Sequence, residues 1–171
     1  TSLYASYTDL FKPQNLKDKH NAFLDPITGS NVEAGVKSEF FDGAVNASFA
    51  VYQARQDNLG EEDMSVPPAF LLPDGSRPYV STGKGTKSRG YEMEVSGSPL
   101  AGWQLFGGFT HGTSKTGKGV LTNTIQPASM LRASTTYRLP GALQHLTIGG
   151  GVNWQNEIWT TATLPDKTRT R

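Results

Sequence analysis

The chain has 171 residues, a formal net charge of +1, no Cys and a mean hydropathy of −0.44. A charge so near zero gives no electrostatic case for nucleic acid, and the missing thiols exclude disulfides, thiolate metal sites and thiol nucleophiles. Eight Phe, six Tyr and three Trp argue against a disordered chain, while nineteen Gly and ten Pro without a period point to many tight turns.

The opening "TSLYASYTDLF" lacks the basic-then-apolar plan of a signal peptide, and no run approaches the ~18 apolar residues of a membrane helix. It reads as if entered in mid-strand, so the chain is expected to be a piece of a larger protein. In this stretch Leu3, Ala5 and Tyr7 share one face while Tyr4, Ser6 and Thr8 share the other, the period-two pattern of a half-buried strand. In "NVEAGVKSEFF" Val32, Ala34, Val36 and Phe40 oppose Glu33, Lys37 and Glu39. After an Asp-Gly turn, Val45, Ala47, Phe49 and Val51 oppose Asn46, Ser48 and Tyr52. "SRGYEMEVSG" sets Tyr91, Met93 and Val95 against Glu92, Glu94 and Ser96, and "GWQLFGGFTHG" sets Trp103, Leu105 and Phe109 against Gln104 and Thr110. "SMLRASTTYRL" and "HLTIGGGVNWQ" repeat the scheme with Leu131, Ala133 and Tyr137, then Leu146, Ile148, Val152 and Trp154. The predicted fold class is therefore all-β, an antiparallel meander of about seven strands of roughly ten residues each.

Connections alternate in length. "FDGA" (41–44), "SPLAG" (98–102) and "LPGAL" (139–143) are short and carry the Gly or Pro of tight turns. Long polar stretches cover roughly 11–30, 54–87 and 112–127, with another starting near 156. Short turns at one end and long loops at the other are the plan of an outer-membrane β-barrel. A soluble β-sandwich module, of carbohydrate-binding type, is the alternative, since it also alternates polar and apolar residues. Its long loops have no reason to gather at one end.

On the barrel reading Phe40, Phe41, Trp103 and Tyr137 form an aromatic girdle beside the short turns, and Phe109, Trp154 and Trp159 lie toward the long loops. Val32, Val36, Phe49, Val51, Met93, Leu105 and Ile148 face lipid. Glu33, Lys37, Glu39, Glu92, Glu94, Arg132 and Arg138 face the lumen, where charges need partners, either one another or a domain filling the barrel.

Several stretches also carry a family resemblance. "SLYASYTDLFKPQN", "LDPITGSNVEAGVKSEFFDGAVNASFAVYQARQDN", "SRGYEMEVSGSPLAGWQLFGGFTH" and "YRLPGALQHLTIGGGVNWQ", in that order, resemble the barrel of TonB-dependent outer-membrane receptors for ferric siderophores, the ferripyoverdine and ferric-coprogen subgroup above all. The resemblance implies a segment of a barrel of about 22 strands around a plug. It implies a Gram-negative outer-membrane location and import of a ferric siderophore with TonB-transmitted energy, through a plug domain that residues 1–171, read as a partial barrel domain, do not show. Outer-membrane lipid and lipopolysaccharide are the implied surroundings, and no cofactor is expected, because iron arrives already chelated. Seven strands do not close such a barrel, so this segment alone is not expected to transport anything.

Other chemistry in the sequence is sparse. His20, His111 and His145 lack mutual ligand spacing and read as solvated histidines, so no metal site is expected. "GKGTKSRG" (83–90) lacks the Gly-Lys-Ser/Thr order of a phosphate loop, and "NAS" (46–48) matches a glycosylation acceptor inside a strand. No local sequence singles out a nucleophile, and no enzyme is expected. Tyr79, Lys84, Lys87 and Arg89 are the one site-like group: aromatic and basic side chains suit an anionic ferric chelate. The same residues also suit a solvated loop stem, or a surface meeting lipopolysaccharide phosphates.

Overall fold

The structure is a computed structural model that describes residues 1–81, 83, 85–122 and 124–159. Nine strands follow one another: β1 (Ser2–Lys12), β2 (Ile27–Phe40), β3 (Val45–Asp57), β4 (Gly60–Glu62), β5 (Tyr79–Ser81), β6 (Thr86–Leu100), β7 (Trp103–Thr116), β8 (Ser129–Arg138) and β9 (Thr147–Gln155). Seven form one sheet in the order β1-β2-β3-β6-β7-β8-β9, every neighbour antiparallel, and β4 pairs with β5 in a small separate sheet. The only helical turn among the described residues is a 3-10 turn at Gly141–Leu143. All seven predicted strands are present, several of them longer than expected because their outer ends run on into the long loops.

The register sorts side chains into two faces. One cross-strand row reads Leu3, Val36, Phe49, Met93, Phe109, Leu131 and Trp154. The adjacent row, displaced by one residue, reads Ser2, Lys37, Ser48, Glu94, Gly108, Arg132 and Asn153. Successive residues of a strand point to opposite sides, so the whole sheet is apolar on one side and polar on the other. Among the described residues nothing covers the apolar side: Leu3 is 83% exposed and Ile148 52%, and the buried hydrophobic residues are Ile27, Val45 and Leu72. A soluble sandwich needs a second sheet over such a face. The small β4–β5 sheet is built from loop residues and does not supply one. The apolar face is a lipid face.

Closure geometry is also visible. Phe40 pairs with Val45 across the β2–β3 turn, and Val45 pairs onward with Gly97. The β6–β7 turn falls further along, where Leu100 faces Trp103, and the β8–β9 connection further still, beyond Arg138 and Thr147. Each short turn is thus displaced in the same sense from the one before. Such stepping is the shear that obliges barrel strands to tilt. In the first turn the Ala44 N–H donates to the Phe41 carbonyl at 3.0 Å, and Asp42 (φ 55°) and Gly43 (φ 87°) take the left-handed conformation that their residue types tolerate. Phe41 shares it (φ 55°), an unusual posture for a bulky residue.

Aromatic residues mark both margins of the apolar face. Trp103, Tyr137 and Ile148 share a row at the short-turn end, with the Trp103 indole N–H donating to Thr135 Oγ1 at 2.7 Å. Toward the loops, the Tyr91 ring meets Phe49, Phe109 and His111 at centroid distances of 6.3, 5.9 and 5.3 Å. Phe109 itself sits mid-strand between Met93 and Leu131, within the apolar belt rather than at its loop-side rim as expected. His111 is likewise no solvated histidine. Its Nδ1 is 2.8 Å from Ser129 Oγ, and its ring lies against Tyr91.

At the other end, described loop residues pack against one another. Segments 13–26 and 58–81 fold onto each other: the Tyr79 N–H donates to the Lys17 carbonyl at 2.7 Å, and Gln14 Nε2 donates to the Asn58 carbonyl at 2.9 Å. Leu72 and Pro78 are buried there. Lys17 pairs with Asp74 at 2.9 Å and lies 5.5 Å from the centre of the Phe23 ring. Arg77 binds Glu62 through Nε at 2.7 Å and donates from Nη1 to the carbonyls of Pro67, Pro68 and Phe70 at 2.9, 3.1 and 2.7 Å. One guanidinium thereby organises a stretch with no strand of its own.

Candidate ligand vestibule and outer rim

The four residues expected at the site are not gathered in one place. Tyr79 opens β5 and faces Glu62 of β4, within the folded loop unit. Lys84 lies outside the described residues. Lys87 and Arg89 are on β6, in the rows of Arg55 and Gln53, four and two pairs beyond the row of Val51 and Tyr91. They share parity with Tyr91 and Met93, so they point to the outer side of the sheet and not into the lumen.

A cleft of about 450 Å³ does open on the polar side, at the loop end. Tyr52, Ser88, Glu92, Thr110, Gln126 and Trp159 are among its walls, drawn from β3, β6, β7 and the segments after β7 and β9. Ser88 Oγ and Ser114 Oγ lie 3.0 Å apart across β6 and β7. The Trp159 N–H donates to the Thr124 carbonyl at 2.9 Å, joining the segment after β9 to the β7–β8 loop.

Tyr52 reaches this cleft because of two glycines. It pairs with Gly90, and Gly90 pairs with Gly112. A Cβ at Gly90 would lie 2.6 Å from the Tyr52 hydroxyl oxygen, and one at Gly112 would lie 2.5 Å from it. The side chain therefore lies flat across β6, its hydroxyl over β7. The same device recurs at Gly35, where a Cβ would meet the Tyr4 ring at 2.6 Å. Tyr4 donates to Glu33 at 2.7 Å and carries Lys37 Nζ 5.2 Å from its ring centre. An aromatic laid over a cross-strand glycine fills the gap that the missing side chain leaves. The signal was present in the sequence as Tyr and Gly at matching strand positions, but only the register shows which glycine each tyrosine crosses.

Charges on the lumen side do not settle among themselves. Among the described residues the ion pairs are Lys17–Asp74, Arg55–Asp57 and Arg77–Glu62, none of them lumenal. Lys37, Glu39 and Glu94 instead line an open polar cleft near the short-turn end, with Asn46, Ser48 and Ser96.

A single antiparallel sheet with a lipid face, a polar face, sheared short turns and folded loops at one end defines a segment of a large membrane barrel. The family described as "TonB dependent receptor-like, beta-barrel" matches residues 1–170. The chain belongs to this family of outer-membrane receptors. It is 39% identical over 163 residues to the ferripyoverdine receptor of Pseudomonas aeruginosa, covering 92% of this chain and 19% of that protein. It is 41% identical over 157 residues to the ferric-pyoverdine 358 receptor of Pseudomonas putida, covering 91% and 19%. The crystal structure of the Pseudomonas aeruginosa outer-membrane ferripyoverdine receptor bound to ferripyoverdine aligns with a TM-score of 0.85 at 36% identity, covering 98% of this chain and 22% of that one. The chain thus spans about a fifth of the length of these relatives.

Proposed function

We propose that this chain is part of a receptor that binds a ferric siderophore at the cell surface and imports it with energy transmitted by TonB. One observation carries the reading: nearly the whole chain superposes on a receptor crystallised with ferripyoverdine, at 36% identity. Ferric pyoverdines are accordingly the first substrate class to test.

In this reading the ligand approaches from the loop end and meets the polar cleft around Tyr52. That cleft offers hydroxyl donors at Tyr52, Ser88, Thr110 and Ser114 and an aromatic wall at Trp159. Such a mixture suits a large, polar chelate whose iron already has its ligands. Tyr79 belongs to the loop unit above and is a second contact in the same proposal. Lumenal Lys37, Glu39, Glu94 and Arg132 find their partners in a domain within the barrel, the part through which TonB acts.

The test is uptake of radioactive iron complexed with pyoverdine by iron-starved cells that lack their own receptor and carry the full-length protein. Uptake that requires both the receptor and TonB is expected. Iron uptake equal to that of the receptor-less strain, with the protein present in the outer membrane, overturns the substrate assignment.

A further inference from the structure

Above the apolar belt, the outer side of the sheet turns abruptly basic. Arg55 of β3 pairs with Lys87 of β6, and Lys87 pairs with Lys115 of β7, so three cations stand directly opposite one another. Arg89 occupies the same side of β6 two pairs nearer the belt, between Gln53 and Thr113. Side chains directly opposite across antiparallel strands have Cβ atoms about 4.5–5.5 Å apart, and like charges there destabilise the sheet. Compensation from within is slight. Arg55 Nε meets Asp57 Oδ2 at 2.8 Å, yet that arginine side chain remains 59% exposed. Among the described residues no carboxylate lies within ion-pair distance of Lys87, Arg89 or Lys115. A row of this kind is stable when an anion bridges it.

We infer that Arg55, Lys87, Arg89 and Lys115 form a docking site for the phosphate groups of the phosphorylated glycolipid of the outer leaflet. The inference rests on the outer-membrane location of the barrel. Height selects this occupant. From Val45 at its short turn β3 reaches Arg55, and from Leu100 β6 reaches Arg89 and then Lys87. A tilted strand needs about 9–11 residues to cross the hydrocarbon, so these cations stand just beyond it, at headgroup level. Direction selects it too, because the four side chains continue the lipid-facing rows of Val51, Tyr91 and Met93. The opposite side of the same strands is neutral there, with Ala54, Ser88 and Ser114. Together with Gln53, Thr113 and the one carboxylate, Asp57, which is paired with Arg55, the four cations line a shallow cleft of about 460 Å³, room for a phosphate and part of its sugar. Arginine forks hold phosphate oxygens in pairs and lysines add point charge.

The full-length receptor and its Lys87→Gln/Lys115→Gln variant, stripped of lipid in detergent, are offered bisphosphorylated lipid A, dephosphorylated lipid A or inorganic phosphate, with retained lipid read by native mass spectrometry. Wild type is expected to retain bisphosphorylated lipid A at least tenfold better than the variant, while both treat the dephosphorylated form alike. Thermal midpoints should cross over: without lipid A the variant is at least as stable, because repulsion is relieved, and with it wild type gains more. Equal retention by the two proteins, or equal retention of dephosphorylated lipid A by wild type, overturns the site. Displacement of lipid A by millimolar inorganic phosphate overturns the lipid assignment in favour of a free-anion site. Should the double variant fail to assemble, Lys115→Gln alone is expected to show an intermediate loss, and undiminished retention in it overturns the site. Fractionation of both proteins to the outer membrane separates failure of this site from failure of the location on which it rests.

Discussion

The barrel wall and the loop unit solve the same problem with opposite means. In the wall, seven strands are tied by backbone ladders and bury almost nothing, leaving one apolar face for lipid and one polar face for the lumen. In the loop unit, segments 13–26 and 58–81 have little ladder, and buried Leu72 and Pro78 with the Arg77 clamp hold them together. The wall depends on its solvent being a bilayer. The loop unit depends on named side chains and carries its order into water.

The largest expected effect breaks the wall. Val36 lies in the lipid-facing row, between Leu3 and Phe49, whereas Ser48 lies in the lumenal row opposite Lys37 and Glu94. Val36→Arg in the full-length receptor should cost about 2–4 kcal/mol of barrel stability. Ser48→Arg should be tolerated. Equal amounts of folded receptor in outer membranes for the two variants would contradict the assignment of faces.

Next comes the clamp. Arg77→Met removes four hydrogen bonds of a cationic donor, each of which contributes on the order of 1.5–3 kcal/mol when desolvated, and less at this partly open site. Loss of about 2 kcal/mol from the loop unit is expected, seen as faster hydrogen exchange around 63–72 with the thermal midpoint of the wall unchanged. A lowered midpoint for the wall would show that the two regions are coupled after all.

A third substitution probes the border between the regions. Gly112→Val has no room beneath the Tyr52 hydroxyl and should lift that ring into the cleft. Roughly tenfold weaker ferric-pyoverdine binding is expected, about 1.4 kcal/mol, with normal receptor levels. Tyr52→Phe, which keeps the ring flat, should lose less. Unchanged affinity in Gly112→Val removes this cleft from the ligand site.

The smallest effect is one of pH. Ser76, through hydroxyl and N–H, and then Lys17 hold the Asp74 carboxyl well below its ordinary value of 3.8, and Ser65 likewise lowers buried Asp63. A depressed carboxylate stabilises the fold above its unfolded pKa and loses that contribution as pH falls through the folded value. The loop unit should therefore keep its protection from exchange between pH 7 and 4 and loosen only in stronger acid. In Asp74→Asn the acid-induced loosening should be reduced. Marked loosening of the wild type already at pH 5 would contradict the assigned stabilisation.

Much of the wall was legible in the sequence because alternation is strongest where one face is apolar. Val32, Val36, Phe49, Val51, Met93, Leu105 and Ile148 share the outer face as the period-two reading required. Strand ends were underestimated where both faces turn polar, as at Arg55–Asp57 and Lys115–Thr116, since alternation vanishes there while the ladder continues. The loop unit was illegible for a different reason: Arg77 binds carbonyls, which every residue has, so no pattern of side chains announces it. The outward direction of Lys87 and Arg89 follows from parity with Tyr91 and Met93. What parity alone did not supply was the neighbouring strands' Arg55 and Lys115, which turn two cations into a row.

Arg77 has one more consequence, for how this surface can change. A guanidinium that grips the carbonyls of Pro67, Pro68 and Phe70 reads the shape of the main chain and is indifferent to what projects from it. Met64 and Leu71, both exposed on the same segment, are therefore free to be exchanged without loosening the loop. That makes the segment a mask whose features can be redrawn while its frame stays put. Side chains at Met64 and Leu71 should accordingly be replaceable with little effect on the loop's shape, and Arg77 should not.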